Sequence, residues 1–85
     1  MAVYTVSQVS FHIKESLESD LLLMDIWIVG EVSGLRKSSA GHTYFSLKDR
    51  ESLLRCVMFK GQRGAGLLAE GDAVSAHGKI TFYTR

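Results

Sequence analysis

Proline is absent from this 85-residue chain, and cysteine and tryptophan occur once each. A lone thiol, Cys56, has no partner within the chain, so an intramolecular disulfide is excluded and a reducing cytoplasm is the expected compartment. No signal peptide is expected ahead of the first polar residues. The longest apolar stretch, Leu21–Met24 and then 26–29 across Asp25, is interrupted and far shorter than the roughly 20 residues a bilayer-spanning helix needs, so no membrane partner is expected. The constellations that carry catalysis are missing too. His12 falls on a predicted helix and His42 and His77 on separate predicted strands, so no two ligands share zinc spacing. There is no nucleophile with a base at motif spacing, no phosphate-cradling glycine loop with its lysine, and no acidic cluster able to hold magnesium. The expectation is therefore no catalytic residue, no metal and no cofactor in this chain.

What is present is the composition of a folding domain: 46% hydrophobic and 22% charged residues lie far from the charge-rich, apolar-poor regime of disorder. A chain of this size buries only roughly 60% of the surface its unfolded form exposes, which leaves a thin stability margin. The net charge of +1 hides an asymmetry. Up to Gly34 one base, Lys14, stands against five acids, giving −4; beyond it nine bases stand against four acids, giving +5. Positive charge gathers where the strands are predicted, which suits a polyanionic partner.

The segment 5–19 reads as an amphipathic helix, with Val9, Ile13 and Leu17 at four-residue spacing. Thr5 and Gln8 have the spacing of a capping box, and Tyr4 and Val9 that of a hydrophobic staple. From residue 26 the period becomes two. Ile26, Ile28 and Val32 face a core and Trp27, Val29 and Glu31 face away, with Gly30 suggesting a bulge or tight bend in a strand over about 26–35. A basic loop, Arg36 to Gly41, precedes a second strand over about 42–48 and, past the Asp49–Ser52 turn, a third over about 53–60. Pairing Phe45 with Cys56 and Leu47 with Leu54 keeps the inner layer apolar, and a one-residue slip would bury Arg55. The outer layer is then His42, Tyr44 and Ser46 against Arg55, Val57 and Phe59. Glycines 61, 64 and 66 break the pattern before a fourth strand over about 72–83. Four strands and a helix leave an open edge, so the unpaired ladder is expected to recruit a partner, through a homodimer, strand exchange or a rearranged terminus.

The run Thr5-Val6-Ser7-Gln8-Val9, the segment from Trp27 to Ser33, the block Gly41-His42-Thr43-Tyr44-Phe45-Ser46-Leu47-Lys48-Asp49 and the run Arg55 to Gly61 together resemble the amino-terminal domain of the large subunit of exodeoxyribonuclease VII. The likeness covers nearly the whole chain, in order and at similar spacing. It implies a mainly β OB-fold, a five-stranded Greek-key barrel with an N-terminal helix, here truncated so that the fifth strand is missing. On that reading residues 1–85 are a single nucleic-acid-binding domain, a fragment of a longer subunit. The domain itself is non-catalytic. The resemblance further implies that it presents single-stranded DNA to a downstream nuclease domain that hydrolyses the strand from both ends to oligonucleotides, and that the parent enzyme assembles with a small subunit through the absent region. The competing reading is a protein-interaction domain docking through its sheet or open edge.

Single-strand binding needs flat π surfaces for the bases and cations for the backbone. Tyr44 and Phe59 are the expected stacking surfaces, although Phe59 also reads as a satellite core residue under the Gly61 loop. Arg55 shares their face and is free to pair a phosphate, or to bridge to Glu31 instead. His42 and Ser46 lie on the same outer layer, Arg36 and Lys37 occupy the first loop, and Lys48, Lys60 and Lys79 rim the sheet. Trp27 is expected to pack beneath the N-terminal helix near Phe11 rather than to bind.

Overall fold

A computed structural model of the chain describes residues 1–83 and shows a mainly β protein with an N-terminal helix. Helix α1 covers Val6–Glu18 and a short helix α2 covers Leu21–Met24; four strands follow, β1 (Ile26–Lys37), β2 (Thr43–Lys48), β3 (Leu53–Met58) and β4 (Ala73–Gly78). They form one open antiparallel sheet in the order β3-β2-β1-β4, so β3 and β4 are its edges and no fifth strand joins it among the described residues. By packing, the chain separates into two compact units, Ile28–Ala76 on the one hand and Met1–Trp27 with the segment from His77 onward on the other.

Within Ile28–Ala76 the strands follow from alternation. On β2, Thr43, Phe45 and Leu47 are buried while Tyr44 and Ser46 are half-buried and Lys48 is exposed, the signature of a sheet with one covered face. Phe45 pairs with Cys56 and Leu47 with Leu54, the register that the apolar pattern demands. Val32 of β1, with no exposed surface, packs with Phe45 and Leu47 at the centre, and Ile28, Leu35, Cys56, Met58, Leu68, Val74 and Ala76 surround them. The inner layer is not covered throughout, however. Leu54, opposite buried Leu47, keeps 44% of its surface, because β3 has a strand on one side only.

Gly30 plays a different part from the one its position in the strand suggests. Its backbone is ordinary extended chain, but a Cβ there would come a tight 3.2 Å from the Lys48 carbonyl oxygen, so glycine suits the close approach of β2. The bulge lies further on. Ser33 pairs with Ser46 but Arg36 pairs with Tyr44, so Gly34 and Leu35 together oppose Phe45. Gly34 adopts φ +66°, a left-handed conformation that glycine takes at no steric cost.

In the other unit, α1 starts as its sequence dictates: the Thr5 hydroxyl accepts from the Gln8 N–H at 3.1 Å while the Gln8 side chain accepts from the Thr5 N–H at 2.8 Å. The Tyr4 and Val9 side chains, expected to close over that turn, both stay exposed. Asp20 caps α2 by accepting from the N–H groups of Leu22 and Leu23. The stretch after Gly78 departs from the expected strand over 72–83. β4 ends at Gly78, and the next residues are tied to the N-terminal helical segment, the Ile80 N–H donating to the Leu23 carbonyl at 2.8 Å and the Thr81 hydroxyl to the Glu18 carboxylate at 3.1 Å. The Ile80 bond uses a backbone donor that a longer strand would have committed to the ladder.

With so small a fully covered core, a single truncation should be decisive. Phe45→Ala is expected to cost about 3–5 kcal/mol, which rivals the whole stability of a domain this small. Urea titration followed by far-UV circular dichroism should find the variant largely unfolded without denaturant, while Val29→Ala, on the exposed face, should unfold near the unaltered midpoint.

Candidate nucleic-acid interface

The bulge in β1 decides what the outer face carries. Without it Arg36 would continue the parity of Val32 and point inward; with one extra residue inserted, Leu35 joins the core and Arg36 emerges beside Tyr44. A bulge leaves ladder donors unpaired, and here both find one acceptor. The Glu70 carboxylate takes the Gly34 N–H on one oxygen and the Leu35 N–H on the other, each at 2.9 Å. The adjoining backbone is pinned as well, by the Val32 N–H donating to the Asp72 carbonyl and the Gly71 N–H to the Val32 carbonyl, both at 2.8 Å. The Leu35 and Gly34 N–H groups hold the Glu70 carboxyl below the usual carboxylate range.

Arg36 then lies over the Tyr44 ring, its guanidinium carbon 4.6 Å from the ring centroid. Along the same face Ser33 stands opposite Ser46, and Ser46 opposite Arg55. Arg55 is exposed and does not bridge to Glu31, whose carboxylate is instead 3.7 Å from the Lys48 ammonium. Lys48 is thus partly neutralised, whereas Arg55 has its guanidinium on an open face. Lys37, at the end of β1 opposite Thr43, and Lys60 are both exposed.

His42 ties the loop between β1 and β2 to the end of β3. Its Nδ1 accepts the Lys60 N–H at 2.9 Å, which places the ring proton on Nε2, and its ring meets Phe59 edge to face at a centroid distance of 5.4 Å. Phe59, paired in this way, retains 44% of its surface. Gly41 sits beneath the Lys60 stem with a left-handed φ of +90°, the conformation that favours glycine there. The structure therefore brings Arg36, Lys37, His42, Tyr44, Ser46, Lys48, Arg55, Phe59 and Lys60 into one unit; Lys79, expected on the sheet rim, lies past the end of β4 in the other unit.

Among the described residues no group of three histidine, cysteine or acidic side chains could hold a metal ion. Burial pushes the Cys56 thiol up, which keeps it protonated and a poor nucleophile. Asp49 is held below its ordinary value by the Glu51 and Ser52 N–H groups it accepts from, both at 2.9 Å, so it serves the turn. No described helix is long and apolar enough to cross a membrane.

Two features escaped the sequence reading. The Glu70 clamp joins residues far apart in the chain, and only Gly34 hinted at it. Trp27, expected under α1, is 67% exposed and stacks on His77.

Comparison with known proteins identifies the family and its relatives. Residues 4–85 match the family described as OB-fold nucleic acid binding domain. Among curated relatives, the exodeoxyribonuclease 7 large subunit of Moorella thermoacetica is 42% identical over 98% of this chain and 21% of its own length. That of Neisseria meningitidis serogroup A is 46% identical over 95% of the chain and 18% of its own length, and that of Halothermothrix orenii 40% identical over 95% and 20%. The chain spans about a fifth of the length of these relatives.

The Glu70 clamp gives a pH dependence. A depressed folded-state value means that stability is fully present above the ordinary 4.5 and is lost as pH falls through the folded value. Thermal unfolding at stepped pH should show this acid limb in the unaltered chain. Glu70→Gln should lower the melting temperature at neutral pH and flatten the acid limb, leaving the part contributed by Asp49.

Proposed function

Since this chain belongs to the OB-fold nucleic-acid-binding domain family, we propose that it grips single-stranded DNA across the outer face of β1, β2 and β3. The observation that carries the reading is the Arg36 guanidinium resting on the Tyr44 ring. A planar cation already occupies the position a nucleobase would take. A base arriving there stacks on Tyr44 while Arg36 turns to the adjoining phosphate. Arg55, Lys37 and Lys60 supply further phosphate contacts, Ser46 and His42 offer hydrogen bonds at the backbone and sugar, and Phe59 offers a second, smaller stacking edge. Lys48, shared with Glu31, and Lys79, in the other unit, contribute general attraction.

The relatives' name extends the proposal. As part of an exodeoxyribonuclease VII large subunit, a cytoplasmic hydrolase, this domain would hold the strand and deliver it to a nuclease domain elsewhere in the longer protein, which cuts it to oligonucleotides from both ends. The small subunit of that enzyme would join outside the region described here. One observation favours a second reading, that of an assembly domain. The edge strand β3 presents Leu53 and Leu54 with much of their surface open, and such an edge invites pairing with another chain.

Fluorescence anisotropy with labelled oligothymidylate separates the two. Tyr44→Ala should weaken binding about 5- to 150-fold, the equivalent of the roughly 1–3 kcal/mol that one stacked base is worth. Arg36→Ala and Arg55→Ala should each reduce the slope of log affinity against log salt by about 0.7. Unchanged affinity in all three variants would remove the DNA-binding reading. A change in sedimentation on Leu53→Lys with DNA affinity intact would instead support assembly through the β3 edge.

A further inference from the structure

We infer that the exposed Trp27–His77 pair is a second base-stacking site, separate from Tyr44 and specific for the nucleobase rather than the phosphate. This rests on the single-strand-binding reading above. Trp27 is the only tryptophan of the chain and keeps 67% of its surface in solvent. Its indole and the His77 imidazole lie nearly parallel, 13° apart with centroids at 4.6 Å, which is a stack one layer deep. The imidazole cannot turn freely, because its Nε2 is bonded to the Asp25 carboxylate. Asp25, Trp27 and His77 belong to one compact unit, and Arg36 and Tyr44 to the other.

Three physical consequences follow from this arrangement. A ring fixed from behind loses little conformational freedom when a base settles on it, so more of the stacking free energy appears as affinity. One indole face is taken by His77 and the exposed surface leaves the other open, so a base becomes the third layer of an existing stack. The acid beside the pair repels a phosphate, so what is recognised is the flat, uncharged face of a base. This makes the site's signature different from that of the cationic face: its loss should lower affinity without altering the salt dependence.

Because Trp27 is the sole tryptophan, its emission reports on the site directly. The unaltered chain is titrated with a fifteen-nucleotide oligothymidylate and with an abasic deoxyribose-phosphate strand of the same length, with anisotropy of labelled strand read in parallel. The expected result is saturable quenching by oligothymidylate at the same midpoint as the anisotropy change, and none by the abasic strand. Trp27→Ala should weaken binding about 5- to 150-fold with the salt slope unchanged, and Trp27→Phe should recover most of the loss. His77→Ala should weaken binding by a smaller factor, since the platform remains but is no longer held. Far-UV circular dichroism should show each variant folded, Trp27 and His77 both being exposed.

Binding by anisotropy with constant tryptophan emission and full affinity in Trp27→Ala would overturn this inference and leave the Tyr44 face standing. A loss of affinity that comes with a reduced salt slope would also overturn it, since the site would then be reading phosphate. A Trp27→Ala variant that changes only the sedimentation coefficient would make the pair a protein contact and overturn it as well. An absence of any binding by the unaltered chain would end both readings.

Discussion

Two backbone N–H groups on one carboxylate organise this domain. The bulge at Gly34 and Leu35 leaves two backbone donors outside the strand ladders, and left unpaired they would cost about 1–3 kcal/mol each if removed from water. Glu70 accepts both. The turn from Ala69 to Asp72 holds that acid in place through the Asp72 N–H donating to the Ala69 carbonyl, and through the Asp72 carboxylate accepting from the Ala69 N–H. A shift of one residue in β1 is thereby made permanent. Everything beyond it changes face: Leu35 is drawn into the core and Arg36 is delivered onto Tyr44.

The same constraint divides labour across the sheet. Val32, Phe45 and Leu47 form a small greasy centre, and the residues between them on the strands point the other way. Strand parity obliges a sheet with one dry face to present a second face of independent chemistry. Here that second face holds Ser33, Ser46, Arg36, Tyr44 and Arg55, with Glu31 answering Lys48 along one row. The inner layer thins toward β3, where Leu54 is half open although its register is inward. Facing the core and being covered by it are separate properties, and an edge strand secures only the first.

That distinction explains what was legible in the sequence. The pairing of Phe45 with Cys56 and Leu47 with Leu54 followed from alternation, because only one register keeps Arg55 wet. The capping box of α1 was written in Thr5 and Gln8, being a bond between neighbours in the chain. Two other features required contacts that alternation does not encode. Gly30 and Gly34 look alike in the sequence, yet one serves a close approach to Lys48 and the other a left-handed bulge, and the partner strand and Glu70 tell them apart. The fourth strand's pattern runs on past Gly78, but the chain there bonds to Leu23 and Glu18 instead. Trp27 looked like a core residue because of its size, while its outward parity was the better guide.

The shortage of free cations bears on how such a face would hold a strand. Of the cations in that unit Lys48 is engaged by Glu31, Arg50 and Arg63 lie between the strands, and Arg36, Arg55, Lys37 and Lys60 are the proposed phosphate partners. At about 0.7 counterions released per contact on single strands, four contacts give a salt exponent near −3, well short of the values reached by dedicated duplex binders. The balance of the affinity must then come from stacking, and stacking accepts any base because every base has a π face. A strand held in this way makes contacts that are equivalent from one nucleotide to the next. It can advance by one step at the cost of re-forming a single stack, without giving up a specific hydrogen-bond pattern. A domain that must hold a strand and also let it move needs this combination of few charges and flat rings.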